Sequence, residues 1–255
     1  AVDMLAARGQ WLEGRLKKRS VKMKQLIIFA ILMPAAVAAE MKLPAALQQA
    51  VPPGWAATHY ASGDLNGDQR ADAALIIQQQ NPALRLKNEG LGADVLDTNP
   101  RRLLVLVREN EGYRLLVQTQ THFLPPQGAA DAPCLADPLE DDALTIRQGR
   151  LWLDVDYWLS CGSWGTRRDT YQFRYQKGSM QLIGADSRFF SRNSHDESRT
   201  SVNLLSGKIK TTTGINESYR ERHRPRERWT QLARLPETDL QRMQALPEPW
   251  NNEND

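Results

Sequence analysis

The densest chemistry in this chain sits in nine residues, Asp64-Leu65-Asn66-Gly67-Asp68-Gln69-Arg70-Ala71-Asp72. Oxygen-bearing side chains stand at positions 1, 3, 5 and 9. A hard cation such as calcium takes six to eight oxygens, and a tight loop can aim alternate side chains at one. Asp64, Asn66, Asp68 and Asp72 would supply side-chain oxygens, and Arg70 its backbone carbonyl. Three carboxylates so close in sequence repel one another unless a cation or solvent offsets the charge. A second candidate is Asp154 and Asp156, two carboxylates on one strand face between Trp152 and Trp158. Carboxylates flanked by aromatic rings suit sugar binding or acid/base hydrolysis. A third is Cys161-Gly162-Ser163-Trp164-Gly165. It is neither a G-x-S-x-G elbow nor a C-G-S-C-W nucleophile motif. It reads as a tight loop at a disulfide with Trp164 as packing anchor, or as an exposed loop that blocks a partner enzyme.

The stretch 64–75, DLNGDQRADAAL, resembles the calcium loop of FG-GAP and VCBS-type repeats. Its first nine positions are also similar to EF-hand and dockerin loops. Leu75 stands at position 12, where an EF-hand would carry a bidentate Glu, so the likeness is to the FG-GAP form. Gln69 stands at position 6, where glycine is usual, and is expected to adopt a positive φ. The resemblance implies structural calcium as cofactor. The loop occurs once, and a propeller needs at least four blades, so a propeller is not expected. The later hairpins resemble bacterial periplasmic proteins carrying a similar loop.

Lone histidines do not add a metal site. No H-x-x-x-H or H-E-x-x-H spacing occurs among His59, His122, His195 and His223. His59 reads as a surface histidine or an outer partner of the acidic loop. Asp137, Glu140, Asp141 and Asp142 lack the 1-3-5 spacing and read as a solvated loop.

Residues 1–39 carry an export pattern. Lys17, Lys18, Arg19, Lys22 and Lys24 precede an apolar run at 25–33 and the small-residue stretch Ala35-Ala36-Val37-Ala38-Ala39. That order is a secretory signal over about 23–39, with 1–22 as an upstream extension. The apolar run is shorter than the ~20 residues of a membrane span, so membrane contact is expected only through this signal. The protein is therefore expected in the periplasm or secreted. Residues 1–39 hold seven bases and two acids; the other 216 residues hold 26 bases and 28 acids. The basic surplus belongs to the export segment, and nothing in the rest favours nucleic acid. Outside the cytoplasm the two cysteines, Cys134 and Cys161, are expected to pair.

The remainder is read as mainly β, an antiparallel meander, sandwich or partial barrel in one domain over 40–216. An Arg-rich, Pro-containing segment at 217–255 packs on the same domain. A short helix is predicted at 43–51, ended by Pro52-Pro53-Gly54, and another at 237–246 with Leu240, Met243 and Leu246 on one face. Apolar runs split by glycine turns predict hairpins at 103–119, 143–158, 170–183 and 200–213. Residues 81–100 and 125–138 read as loops. The expected function is a calcium-stabilised binding or accessory protein for an envelope protein or glycan. The alternatives are a hydrolase using Asp154 and Asp156, or an inhibitor presenting 161–165.

Overall fold

The computed structural model describes residues 43–216, 218 and 224–248. The export pattern at 1–39 lies outside them. Two antiparallel sheets dominate. The first has four strands in the order β1 (Trp55–Gly63), β2 (Asp72–Gln79), β5 (Arg101–Glu109) and β6 (Gly112–Gln118). Between its second and third members the chain makes a small ribbon, β3 (Arg85–Lys87) with β4 (Val95–Asp97). The second sheet is a meander of seven strands in sequence order. These are β7 (Leu144–Arg147), β8 (Arg150–Trp158), β9 (Gly165–Gln176), β10 (Ser179–Ser191), β11 (Asp196–Asn203), β12 (Lys208–Asn216) and β13 (Arg226–Gln231). No sheet closes into a barrel among the described residues.

Alternation explains how the sheets meet. Ala74 and Ile76 of β2 and Leu103 and Val105 of β5 share one core with Leu151, Leu153 and Val155 of β8 and Tyr171 and Phe173 of β9. The opposite residues of the same strands, Ala73, Leu75, Ile77, Leu104 and Leu106, form a second cluster under Leu47. Strands β2 and β5 are thus buried on both faces, which is why they read as continuous apolar runs. Where β1 crosses β7, a side chain on Gly63 would meet Ile146 at 2.6 Å, so the sheets approach too closely there for any Cβ.

The turns follow the expected chemistry. Gln148-Gly149 and Lys177-Gly178 both hold two successive positive φ angles, the twist that matches a two-residue hairpin. The two expected helices do not form as such. Residues 43–51 contain a single turn, α1 (Ala45–Gln48). Residues 237–246 make no helix. The Leu182 amide donates to the Thr238 carbonyl and the Leu240 amide to the Met180 carbonyl, so this segment extends the edge of β10 past the end of β11. The Asp239 carboxylate then accepts from the Gln241 amide, a turn bond that competes with helix. Leu240 and Met243 are still buried in the main core. Residues 81–100, expected as a loop, carry β3 and β4, and β1 was not foreseen; its small residues give little strand signal.

Cys134 and Cys161 form a disulfide with Cα atoms 5.5 Å apart. No helix among the described residues is long and apolar enough to cross a membrane.

Candidate functional site

The acidic loop joins β1 to β2, and its oxygens are tied to its own backbone. Asp64 accepts from the Gly67 amide at 2.7 Å and the Gln69 amide at 2.9 Å. Asn66 accepts from the Asp68 amide at 3.0 Å, and Asp68 from the Arg70 amide at 2.9 Å. Gln69 has φ 64°, as its position required. Asp72 is turned inward: it is fully buried and accepts from the Leu65 amide and, across the sheet, from the Arg108 amide, both at 2.8 Å. Asp64, Asn66 and Asp68 are half-buried or exposed, and Asp72 closes the loop from within. Among the described residues no three His, Cys, Asp or Glu side chains form a group arranged to hold a metal.

His59 is not on the surface. It is buried, with Nε2 at 2.9 Å from the Glu140 carbonyl and Nδ1 at 3.0 Å from the Thr58 hydroxyl. Burial holds its pKa below the ordinary imidazole value. The cluster around Asp137 is likewise not simply solvated. Asp137 makes a two-pronged pair at 2.6 Å with Arg101, whose side chain is only 2% exposed. Arg101 also donates to Gln78 at 3.0 Å. Fork-to-fork pairing of this kind is strong and directional. It ties the 125–138 loop to the first sheet.

The outer face of the seven-stranded sheet holds the richest side-chain assembly. Strand alternation puts Trp152, Asp154, Asp156 and Trp158 of β8 on it, as expected. The register then aligns Asp156 with Arg168, Arg168 with Arg188, and Arg188 with Arg199. Three guanidiniums on adjacent strands repel unless acids intervene. Asp156 accepts from Arg168 Nε at 2.6 Å, and Glu140 lies 3.3 Å from its Nη2. Glu197 sits between Arg188, at 2.5 Å, and Arg199, and these two hold its carboxyl below the usual range. Asp154 accepts from the Thr170 hydroxyl, while burial pushes its pKa upward.

One end of this face is hollowed into a cleft of about 350 Å³, lined by Glu140, Asp156, Tyr157, Trp158, Thr166, Arg167, Arg168, Arg188 and Phe190. That volume lies within the range of small-ligand sites, ~300–1,000 Å³. Trp158 is 42% exposed. The cleft brings Asp156 and Trp158 together as expected, but Asp154 is not in its lining. Arg168, Arg188, Thr166 and Phe190 were not singled out in the sequence. Only the pairing register of three strands reveals that they are neighbours.

The 161–165 loop forms the rim. The disulfide holds one end, and the Ser160 amide donates to the Cys134 carbonyl at 2.8 Å. Arg192 donates to the Leu159 carbonyl at 3.0 Å and the Ser163 carbonyl at 2.6 Å. Its guanidinium also lies 5.1 Å from the centre of the Trp158 ring and 5.8 Å from that of Trp164. Trp164 is 64% exposed, so it is not a packing anchor. A Cβ at Gly165 would stand 2.8 Å from the exposed Phe189 ring, which would have to turn aside.

On the core face of β9, Asp169 is fully buried. The Ser187 hydroxyl donates to it at 2.8 Å, and Arg167 Nε lies 3.2 Å away, close enough to attract but not aligned as a hydrogen bond. Burial outweighs both, and its pKa is pushed up to about 6. Comparison with family models, with curated proteins and with solved structures finds no match to this chain.

Proposed function

We propose that this chain is an exported binding module, steadied by calcium at the 64–72 loop, that holds an envelope ligand in the cleft over β8, β9 and β10 and leaves it chemically unchanged. The observation that carries this reading is the lining of the cleft. It combines three aromatic rings (Tyr157, Trp158 and Phe190), guanidinium donors, carboxylate acceptors and hydroxyls, the mixture that orients a polar ligand. The carboxyls expected as a hydrolytic pair are not brought together there: Asp156 lines the cleft, engaged with Arg168, and Asp154 does not, while the second carboxyl of the lining is Glu140, which also lies against Arg168.

Calcium enters as a stabiliser. Asp64, Asn66 and Asp68, with the Arg70 carbonyl, are the groups that would hold it, and Asp72 would fix the end of the loop from inside. An ion that binds only the native state raises the melting temperature. Unfolding with millimolar calcium should occur several degrees above unfolding in chelator, and Asp68→Ala should remove the difference. Equal melting in both conditions removes calcium from the proposal.

The binding reading is tested by titrating the full chain with soluble envelope polysaccharide while following tryptophan fluorescence. A saturable change, lost in Trp158→Ala, supports it when the recovered polysaccharide keeps its chain length. Shortened chains would mean a hydrolase. A second reading, a blocking loop against a partner enzyme, is favoured by one observation: Trp164 is exposed on a loop held by a disulfide and by Arg192. Rigid, exposed tryptophans are frequent binding hot spots.

A further inference from the structure

We infer that β13, the free edge of the seven-stranded sheet, accepts an extended segment of a partner protein as a further antiparallel strand, and that this segment carries acidic side chains at alternate positions. No residue of β13 lines the cleft, so the inference stands apart from the cleft and its ligand.

The backbone comes first. β13 ends the strand order, with β12 on one side and, among the described residues, no strand on the other. The Leu232 amide donates to the Gly207 carbonyl, one step past the pair of Lys208 with Gln231. Bonding along an antiparallel strand alternates from residue to residue. Thr230, Arg228 and Arg226 therefore bond inward to β12, and Glu227, Trp229 and Gln231 turn their amides and carbonyls outward. Such a row of unpaired groups is a template for another strand, and strand addition is a recurrent mode of peptide recognition. Proline is absent from all six positions of β13, so every outward residue can both donate and accept.

The side chains decide which strand fits. Arg226 and Arg228 are exposed and stand two positions apart, on one face of β13. Their partners on β12 are Thr213 and Thr211, both neutral. Among the described residues neither guanidinium has a carboxylate partner. Elsewhere on the sheet the arginines are engaged: Arg168 with Asp156 and Glu140, Arg188 and Arg199 with Glu197, and Arg167 beside Asp169. Glu227, on the other face of β13, is held by Lys210 at 2.6 Å. A residue added opposite Arg226 or Arg228 sits in a non-hydrogen-bonded pair, where facing side chains come closest. A carboxylate there meets the planar fork that suits it best. A basic strand would set like charges opposite each other. Charged edges ordinarily keep strands apart; on this face the charge has one sign, so it repels its like and admits its opposite.

A second copy of the chain does not meet this requirement. Antiparallel pairing of β13 with itself sets outward-bonding residues against outward-bonding residues. Glu227 then never stands opposite Arg226 or Arg228, and the register centred on Glu227 sets Arg226 against Arg228.

The test is fluorescence anisotropy of short labelled peptides titrated with the full chain. One peptide alternates glutamate with valine and threonine, a second carries lysine for glutamate, and a third is the glutamate peptide N-methylated along its bonding edge. The glutamate peptide should bind at least about tenfold more tightly than either of the others. Replacing both arginines by acids, Arg226→Glu with Arg228→Glu, should reverse the preference in favour of the lysine peptide. Should that variant fail to fold, Arg228→Gln, which leaves the backbone ladder to β12 in place, should still weaken the glutamate peptide by severalfold. Equal binding of the glutamate and lysine peptides, or arginine changes without effect, overturns the acidic selection. An N-methylated peptide that binds as tightly as its parent means adhesion of a polyanion to the arginines and overturns strand addition. No binding of any peptide overturns the inference as a whole.

Discussion

The two large sheets bury their residues differently. Strands β2 and β5 of the four-stranded sheet have apolar neighbours above and below. Strands β8 to β12 of the seven-stranded sheet have a core on one side only and carry rings and charges on the other. Strands β2 and β5 have little freedom in sequence because nearly every side chain meets another. The second sheet has a free face, where residue type is set by what the face contacts. Polarity on that face contributes little to folding, so its order, an acid next to arginine next to arginine, calls for another cause. The cleft proposed as the binding site lies on the open face of the second sheet.

The comparison breaks most readily at Leu75. It is fully buried in the cluster under Leu47. Leu75→Ala should cost roughly 2–5 kcal/mol of unfolding free energy, whereas Ser201→Ala, on the exposed face of β11, should stay within about 0.5 kcal/mol. Urea unfolding of both variants measures the contrast. A Leu75→Ala cost near that of Ser201→Ala would mean that the first sheet is not the scaffold.

Next in size is the disulfide, which links the 125–138 loop to the rim across a separation of 27 residues. Replacing Cys134 and Cys161 together by Ala should lower stability by roughly 3 kcal/mol through loop-closure entropy. If the second sheet is the working face, ligand affinity should fall as well, because the rim loosens. Lost stability with affinity unchanged would confine the disulfide to the fold.

Burial also produces a pH effect on the seven-stranded sheet. Asp169 has a folded pKa of about 6, above the 3.8 of an unperturbed carboxyl. The folded state therefore binds its proton more tightly than the unfolded state does, and stability falls as pH rises from about 4 to about 6. The size is ~3 kcal/mol for a shift of this order. His59 acts in the opposite sense: its pKa is lowered by burial, so stability falls as pH drops below the unfolded histidine value. Comparing the parent with Asp169→Asn isolates the carboxyl. The variant should lack the decline between pH 4 and 6; an identical decline in both would show that Asp169 is not its source.

The same contrast decides what the sequence could reveal. Residues 103–107 and 73–77 are legible because burial on both faces demands apolar runs. The hairpin turns are legible because Gln148-Gly149 and Lys177-Gly178 need unusual backbone angles. Residues 184–191 and 165–169 are not, because strands with one face in solvent mix Arg, Asp and Ser with core residues. Asp154 and Asp156 could be assigned to one face from alternation alone. Arg168 and Arg188 are 20 positions apart, and only the register makes them neighbours. The segment at 237–246 misleads because Leu240, Met243 and Leu246 have helical spacing, yet the free edge of β10 offers its backbone better hydrogen bonds. Asp137 misleads because its partner, Arg101, is 36 residues away.

The smallest expected effect on stability gives the sharpest test of the working face. Trp164 is 64% exposed, and Arg192 holds the loop chiefly through the carbonyls of Leu159 and Ser163. Removing the ring deletes a cation–π contact at 5.8 Å, and at an exposed site such a contact contributes about 0.5–1 kcal/mol. Trp164→Ala should therefore shift unfolding by no more than about 1 kcal/mol, while Arg192→Ala, which releases three carbonyls and two rings, should cost more. If Trp164→Ala weakens sugar binding, the rim belongs to the cleft. If sugar binding is untouched, Trp164 stands apart from the cleft and the blocking-loop reading gains its own surface. A stability loss beyond about 2 kcal/mol would instead make Trp164 a structural residue, and the division between a buried scaffold sheet and an open working sheet would fail at its rim.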